Sequence, residues 1–213
     1  MNCRGQEKRK WIVENYNVKP VAHIQLLKGQ IKHSDAGQII ENNYYIFEAK
    51  SKADENIVKT IQCGISAAKG FLILLNHKGL PIFNPLHDKS EISQNYSQYN
   101  TGKVETDTNI KWNPKAKQLY NAIMWLIIII DARPNTPIYD IRDKIFKFRY
   151  KEPFESQVKS VNTIIKKSFK NIKLTDKINQ LKIENDIRDE LCNFDTLMEN
   201  IFDNDGHPIE LFF

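Results

Sequence analysis

The fold turns on His33-Ser34-Asp35-Ala36-Gly37-Gln38-Ile39-Ile40-Glu41-Asn42-Asn43-Tyr44-Tyr45-Ile46-Phe47-Glu48-Ala49-Lys50-Ser51. Gln38–Ile40 and Tyr44–Ala49 are strand-like, and Glu41-Asn42-Asn43 between them has the residue types of a tight turn, which predicts a β-hairpin. Upstream, the apolar and irregularly alternating run Val21–Gln30 reads as a first strand. Glu7–Tyr16 ahead of it reads as a short helix, stopped by Asn17 and Pro20. Downstream, Asp54-Glu55 opens a helical pattern through Ile57, Ile61, Ile65 and Ala68, with acids in its first turn. Phe71–Leu75 is then either a buried strand after a stop at Gly70 or the continuation of that helix to Asn76. Periodicity alone leaves both readings open.

Farther along, His87–Asn113 is polar and poor in aliphatic residues, the composition of a linker or loop. Asn113-Pro114 then has the pattern of an N-cap followed by proline at the first helical position. The helix it opens carries Leu119, Ala122, Ile123, Leu126 and Ile130 on one side and is broken by Arg133–Pro137. Helical patterns follow at Ile138–Phe148, Gln157–Phe169, Thr175–Ile183 and Asp186–Phe202, with Thr175 and Asp195 as caps. The end, His207–Phe213, is apolar enough that it is expected to dock. The expected class is therefore α+β: a small N-terminal sheet with a packed helix, followed by a mainly helical C-terminal half. The expected division is an α/β unit over 1–86, a polar linker over 87–112 and a helical unit over 113–213.

With 41% hydrophobic and 27% charged residues the chain has the balance of a globular protein, not a disordered one. The longest apolar run, Ala122–Ile130, is too short for a helix to cross a bilayer, which takes about 20 residues. It is expected in a core, with no membrane partner. Cys3, Cys63 and Cys192 form no CxxC pair. Sparse thiols of this kind, together with a polar N-terminus, suit a cytoplasmic setting. The richness in Asn, Ile and Lys suggests an A+T-rich coding sequence of bacterial or phage type. The five histidines show no HxH or HExxH spacing, and no cofactor is implied by composition.

Chemistry, if the chain has any, is expected at Asp35, Glu48 and Lys50. Glu48 and Lys50 lie two apart in a strand and project from the same face. With Asp35 across the hairpin, the two carboxylates would hold Mg²⁺ and the ammonium would stabilise developing charge. The order acid, hairpin, Glu-x-Lys, helix, strand over residues 30–75 resembles the PD-(D/E)XK nuclease superfamily. That resemblance implies a Mg²⁺-dependent nuclease with Asp35 and Glu48 as metal ligands and Lys50 as the catalytic cation. Ser34 stands where that family has proline. The same stretch is also similar to treble-clef zinc modules of phage and mobile-element proteins, through Gly37, Ile40, Asn42, Tyr44 and Gly64–Lys69. The cysteine positions of that pattern fall here on His33, Ala36 and Ala67. This second resemblance implies a metal-less structural module that faces nucleic acid.

Charge distribution points to binding. Between Arg142 and Lys173 ten basic residues face only Asp143, Glu152 and Glu155, whereas Glu184–Glu210 carries nine acids against Arg188. Such asymmetry suits a polyanion partner. Phe146, Phe148 and Tyr150 alternate with Lys147, Arg149 and Lys151, so an extended chain would show aromatics on one face and cations on the other. The leading expectation is a non-catalytic nucleic-acid-binding or accessory protein that uses Lys147, Arg149, Lys151, Lys166, Lys167 and Lys170 on phosphates. The alternatives are the Mg²⁺-dependent nuclease and a protein-binding helical scaffold with a protein partner.

Overall fold

The structure is a computed structural model and describes residues 1–87, 111–132, 136–199, 201–203 and 205–213. The chain forms two compact units. One comprises Met1–Pro85 with Met124–Asp143, and the other Leu86–Ile123 with Lys144–Phe213. The first boundary falls beside the expected one at residue 86, but residues 124–143 return to the first unit instead of staying with the helical half. The expected linker over 87–112 lies almost entirely outside the described residues. The fold class is mixed α+β, with a small antiparallel sheet and a helical C-terminal half.

In the first unit, helix α1 (Gln6–Asn15) leads into strand β1 (Tyr16–Gln25). Strands β2 (Lys32–His33) and β3 (Ile39–Ile40) make a two-stranded ribbon. Strands β4 (Asn43–Ser51) and β5 (Val58–Gly64) are followed by helix α2 (Ile65–Leu74). The main sheet has the order β1-β4-β5, all antiparallel. The expected hairpin between 38–40 and 44–49 does not form. Ile39 and Ile40 pair instead with His33 and Lys32, and β4 pairs with β1 from Asn43↔Gln25 to Ser51↔Tyr16. A two-residue strand offers β4 far fewer ladder bonds and apolar cross-strand pairs than β1 does, so the longer partner wins.

The segment read as a helix from Asp54 is also different. Ser51 Oγ accepts from the Ala53 and Asp54 amides, and Asp54 Oδ1 accepts from the Asn56 amide. The acid therefore builds a turn, a role that Ser and Asp side chains fill readily. Beyond it Val58–Gly64 is strand β5, in which Ile61 and Cys63 alternate inward. Helix α2 then carries Phe71–Leu74, so of the two readings of that run the helical one is observed, and Asn76 follows in the left-handed region at φ 48°. Gly70 sits within α2 where a Cβ would lie 2.5 Å from Arg9 Nε, so the glycine admits the Arg9 side chain against the helix.

Central strand β4 is buried on both faces. Tyr45, Phe47 and Ala49 join Ile61 and Cys63 in a core closed by Ile12 of α1, Ala67, Ala68 and Phe71 of α2, and Cys3. Phe47 stacks on Tyr45 at 5.6 Å and meets Phe71 at 5.1 Å between ring centroids. On the other face Tyr44 is buried beside Asp131 and Tyr139, and burial pushes its phenol well above the ordinary range. His23 stacks on Tyr45 at 4.1 Å, with Nδ1 3.1 Å from the Leu80 carbonyl and Nε2 3.2 Å from Asn43 Oδ1. Burial lowers the His23 pKa despite those bonds.

The folded state therefore refuses a proton that the unfolded chain accepts near pH 6.5. Stability is expected to be at its plateau above that value and to fall as pH drops below it. The less buried His77, whose pKa burial also lowers, adds to the effect with the same sign. Thermal unfolding at pH 7.5 and pH 5.5 checks this, and His23→Gln is expected to flatten the difference.

Four helices carry the rest of the described chain: α3 (Pro114–Ile130), α4 (Pro137–Lys147), α5 (Glu155–Ser168) and α6 (Leu174–Lys182). Asn113 Oδ1 accepts from the Ala116 amide at 3.1 Å, the cap expected from the sequence. Residues 121–128 of α3 are all buried, as an apolar run of this length requires. No helix among the described residues is long and apolar enough to cross a membrane. The chain passes between the two units within α3 and again within α4.

In the second unit, Val158, Val161 and Ile165 of α5 and Leu174 and Ile178 of α6 are buried. Asn162 is buried too. Its Oδ1 accepts from the Phe212 amide at 2.7 Å and its Nδ2 donates to the Glu210 carbonyl, which docks the apolar end Leu211–Phe213. The expected cap Thr175 lies inside α6, whose N-cap is Lys173. The helix expected over 186–202 is reduced to two 3₁₀ turns, Asp189–Leu191 and Asp195–Leu197. Asn193 Oδ1 takes the Asp195 amide, and Gln118 Oε1 takes the Thr196 amide. These side chains compete with the helical ladder for its donors.

Candidate nucleic-acid interface

Two groups of residues carried the functional expectations, and the first is Asp35, Glu48 and Lys50. The turn Ser34–Gly37 between β2 and β3 docks on β5, with the Asp35 amide donating to the Gln62 carbonyl at 2.7 Å. The Asp35 carboxylate is then filled from both sides. Its Oδ1 lies 2.6 Å from the Met1 ammonium, and its Oδ2 accepts from the Gln62 amide at 2.8 Å. Glu48 pairs with Lys19 at 3.2 Å, and Lys50 pairs with Glu55 at 2.8 Å. The three side chains thus have separate partners. Among the described residues the cluster with metal-ligand spacing is Asp203, Asp205 and His207, all exposed, and it includes neither Asp35 nor Glu48.

The Asp35 carboxylate bridges the Met1 amino group and the Gln62 amide of β5. Asp35→Asn is expected to lower the unfolding midpoint in metal-free buffer, because a charge-assisted bond worth about 1.5–3 kcal/mol is weakened. A carboxylate held ready for a cation would leave the midpoint unchanged or raise it.

Beside this turn lies a pair that the sequence did not signal. Cys3 and Cys63 are both buried, and the Cys63 thiol hydrogen-bonds to Cys3. That bond lowers the Cys3 pKa, while the same bond and burial push Cys63 up. Sixty residues separate the two in the chain, and spacing gives no hint of their meeting. His33, Ala36 and Ala67 contribute no thiol here.

The second group is the basic set, and all six of its members belong to the second unit. The extended chain expected over 146–151 is not formed: α4 runs to Lys147 and a turn follows. The turn splits the three aromatics that were expected on one face. Phe146 is half-buried against Trp112 and Tyr120, at 6.0 and 5.9 Å. Arg149 folds back over it, with its guanidinium 5.4 Å from the Phe146 ring and Nη1 donating to the Phe146 carbonyl. Phe148 and Tyr150 turn outward, 44% and 50% exposed. Lys147 lies 5.4 Å from the Phe148 ring, and Lys151 lies 5.9 and 5.7 Å from the Phe148 and Tyr150 rings. Phe154, at the N-cap of α5, is 76% exposed, and its amide donates to Gln157 Oε1.

Lys166 and Lys167 close the far end of α5, and Lys170 follows in the left-handed region at φ 52°. Lys166 stands 5.2 Å over the Phe212 ring. Cations at this end also offset the negative pole of the helix. At a rise of 1.5 Å per residue, α5 separates the Phe148–Phe154 turn from these lysines by about 20 Å. Ser156, Ser160, Thr163 and Lys167, spaced four, three and four apart, share one exposed side of α5.

The nearby acids Glu152 and Glu155 are engaged in ion pairs, Glu152 sharing Lys115 with Glu199. Glu152 pairs with Lys115 at 3.2 Å and Glu155 with Lys159 at 2.7 Å. Among the described residues, no carboxylate lies within ion-pair distance of Lys147, Lys151, Lys166, Lys167 or Lys170. Of the acids of 184–210, Asp189, Glu190, Glu199 and Asp203 pair with Lys182, Arg188, Lys115 and His207. Phe154 stands outside the aromatic alternation of 146–151. A large aromatic where a helix normally takes Ser, Thr, Asp or Asn was the signal available.

No curated protein and no solved structure matches the chain. A family model does match it, over residues 1–210, and the chain belongs to that family, described as Uncharacterised conserved protein UCP028583.

Proposed function

We propose that the protein binds nucleic acid without cutting it, through the surface that runs from the turn after α4 along α5. The supporting observation is the charge arrangement at the two ends of α5. Lys147 and Lys151 stand at one end and Lys166, Lys167 and Lys170 at the other, while Glu155 pairs with Lys159 and Glu152 shares Lys115 with Glu199. The hydroxyls between the ends carry no charge to repel a phosphate backbone. Lysines spread over about 20 Å match a polyanion better than a small anion, which needs convergent donors. Arg149 is turned onto Phe146 and serves the platform more than the ligand.

The test is fluorescence anisotropy of labelled mixed-sequence DNA and RNA oligonucleotides titrated with the full chain at 50 and 200 mM salt. The expected result is binding at the lower salt that weakens steeply at the higher, as counterion release dictates. Absence of binding to every oligonucleotide at 50 mM salt would overturn the reading. Loss of the intact oligonucleotide during the titration would overturn the non-catalytic part of it.

A further inference from the structure

Phosphate contact alone leaves the exposed aromatics of this surface without a task. Phe148, Tyr150 and Phe154 fall within seven residues of chain and present half or more of their surface, or close to it, to solvent. They are not loosely held. The Arg149 carbonyl accepts from the Asn113 amide at 2.8 Å, and the Lys151 amide donates to the Phe148 carbonyl at 2.8 Å. The Phe154 amide is held by Gln157. Beneath the turn, Trp112, Tyr120 and Phe146 pack at 5.2–6.0 Å. The result is a set of outward rings on a braced base, each of the first two with an ammonium 5.4–5.9 Å away.

Resting on the nucleic-acid reading above, we infer that the ligand is a single strand, whose bases stack on Phe148, Tyr150 and Phe154 while its backbone runs along α5 to Lys166, Lys167 and Lys170. In a duplex the faces of the bases are covered by their neighbours, and only edges and phosphates reach a protein. Exposed rings gain nothing from such a ligand. An unpaired base offers its π-face to a ring, and the lysine beside that ring is placed for the phosphate attached to it. A membrane surface would also accept aromatics and lysines, but the exposed residues of α5 include Ser156, Ser160 and Thr163 and no large aliphatic one to enter a bilayer.

The experiment compares a labelled 12-nucleotide mixed-sequence strand, the same strand in a duplex, and vesicles containing an anionic lipid. Wild type is set against Phe148→Ala/Tyr150→Ala/Phe154→Ala. All three substitutions are at exposed positions, and unchanged thermal unfolding of the variant confirms an intact fold. The expected result is that wild type binds the strand at least about 10-fold more tightly than the duplex, that the triple variant loses about 10-fold or more on the strand, and that its salt slope stays unchanged. Equal or tighter binding of the duplex, or a variant that binds the strand as wild type does, would sink the single-strand inference while leaving nucleic-acid binding in place. Failure to bind either form, with or without capture by vesicles, would remove both.

Discussion

Exchanging Lys166, Lys167 and Lys170 together for glutamine is expected to weaken binding to a single strand by about 100-fold near 0.1 M salt. The figure follows from counterion release. Each neutralised phosphate contact contributes about 0.7 to the slope of log K against log salt on a single strand, so three contacts account for about two decades at 0.1 M. The slope itself is expected to fall by about 2. These lysines are exposed, and no carboxylate among the described residues is left behind by their removal, so stability is expected to move by no more than about 0.5 kcal/mol. Lys159→Gln provides the contrast. It already pairs with Glu155 at 2.7 Å, and its loss frees an acid on the same helix without removing one of the proposed phosphate contacts.

The largest effect on folding is expected at Phe47. The ring is fully buried in central strand β4 and lies between Tyr45 and Phe71, and it joins both flanking helices to the sheet. Phe47→Ala removes its contacts and leaves a void that neighbours on three elements cannot close, at a cost of about 3–5 kcal/mol. That is a large share of a typical domain's 5–15 kcal/mol. In urea, the midpoint of the first unit's transition is expected to fall sharply with little change in slope. Phe154→Ala, which removes a ring of the same size from the surface, is expected to leave the midpoint within about 0.5 kcal/mol of wild type.

The contrast between those two phenylalanines shows what the sequence conveyed and what it did not. The long apolar run with its Asn113-Pro114 start was legible because cap chemistry and periodicity agree, and α3 begins where expected. The strand pairing of β4 was not. Proximity along the chain favoured Ile39–Ile40, while the observed partners come from residues 16–25 and 58–64, and only the tertiary arrangement selects among them. Strand β5 was hidden because Asp54 and Glu55 look like a helix start, yet their neighbours Ser51 and Asn56 make a turn of them. At the candidate interface the cations could be counted from the sequence. The aromatic alternation of 146–151 was visible as a pattern, but the backbone realises it as a helix end and turn instead of a strand. Phe146 turns inward while Phe148 and Tyr150 turn outward beside Lys147 and Lys151, so the expected single aromatic face opposite the cations does not form. The Cys3–Cys63 contact and the tethering of Asp35 to Met1 depend on a chain reversal of tens of residues, which no local spacing records.

Ultraviolet crosslinking of the full chain to a mixed-sequence single strand, followed by tryptic mapping, tests the interface most directly. Trypsin cuts after Lys147, Arg149, Lys151 and Lys159, so Phe154 falls in the peptide 152–159. The account predicts nucleotide adducts on the peptides spanning 148–159, and their loss when Phe148, Tyr150 and Phe154 are replaced by alanine. Adducts confined to other parts of the chain, such as the exposed Trp11 in the first unit, would contradict it.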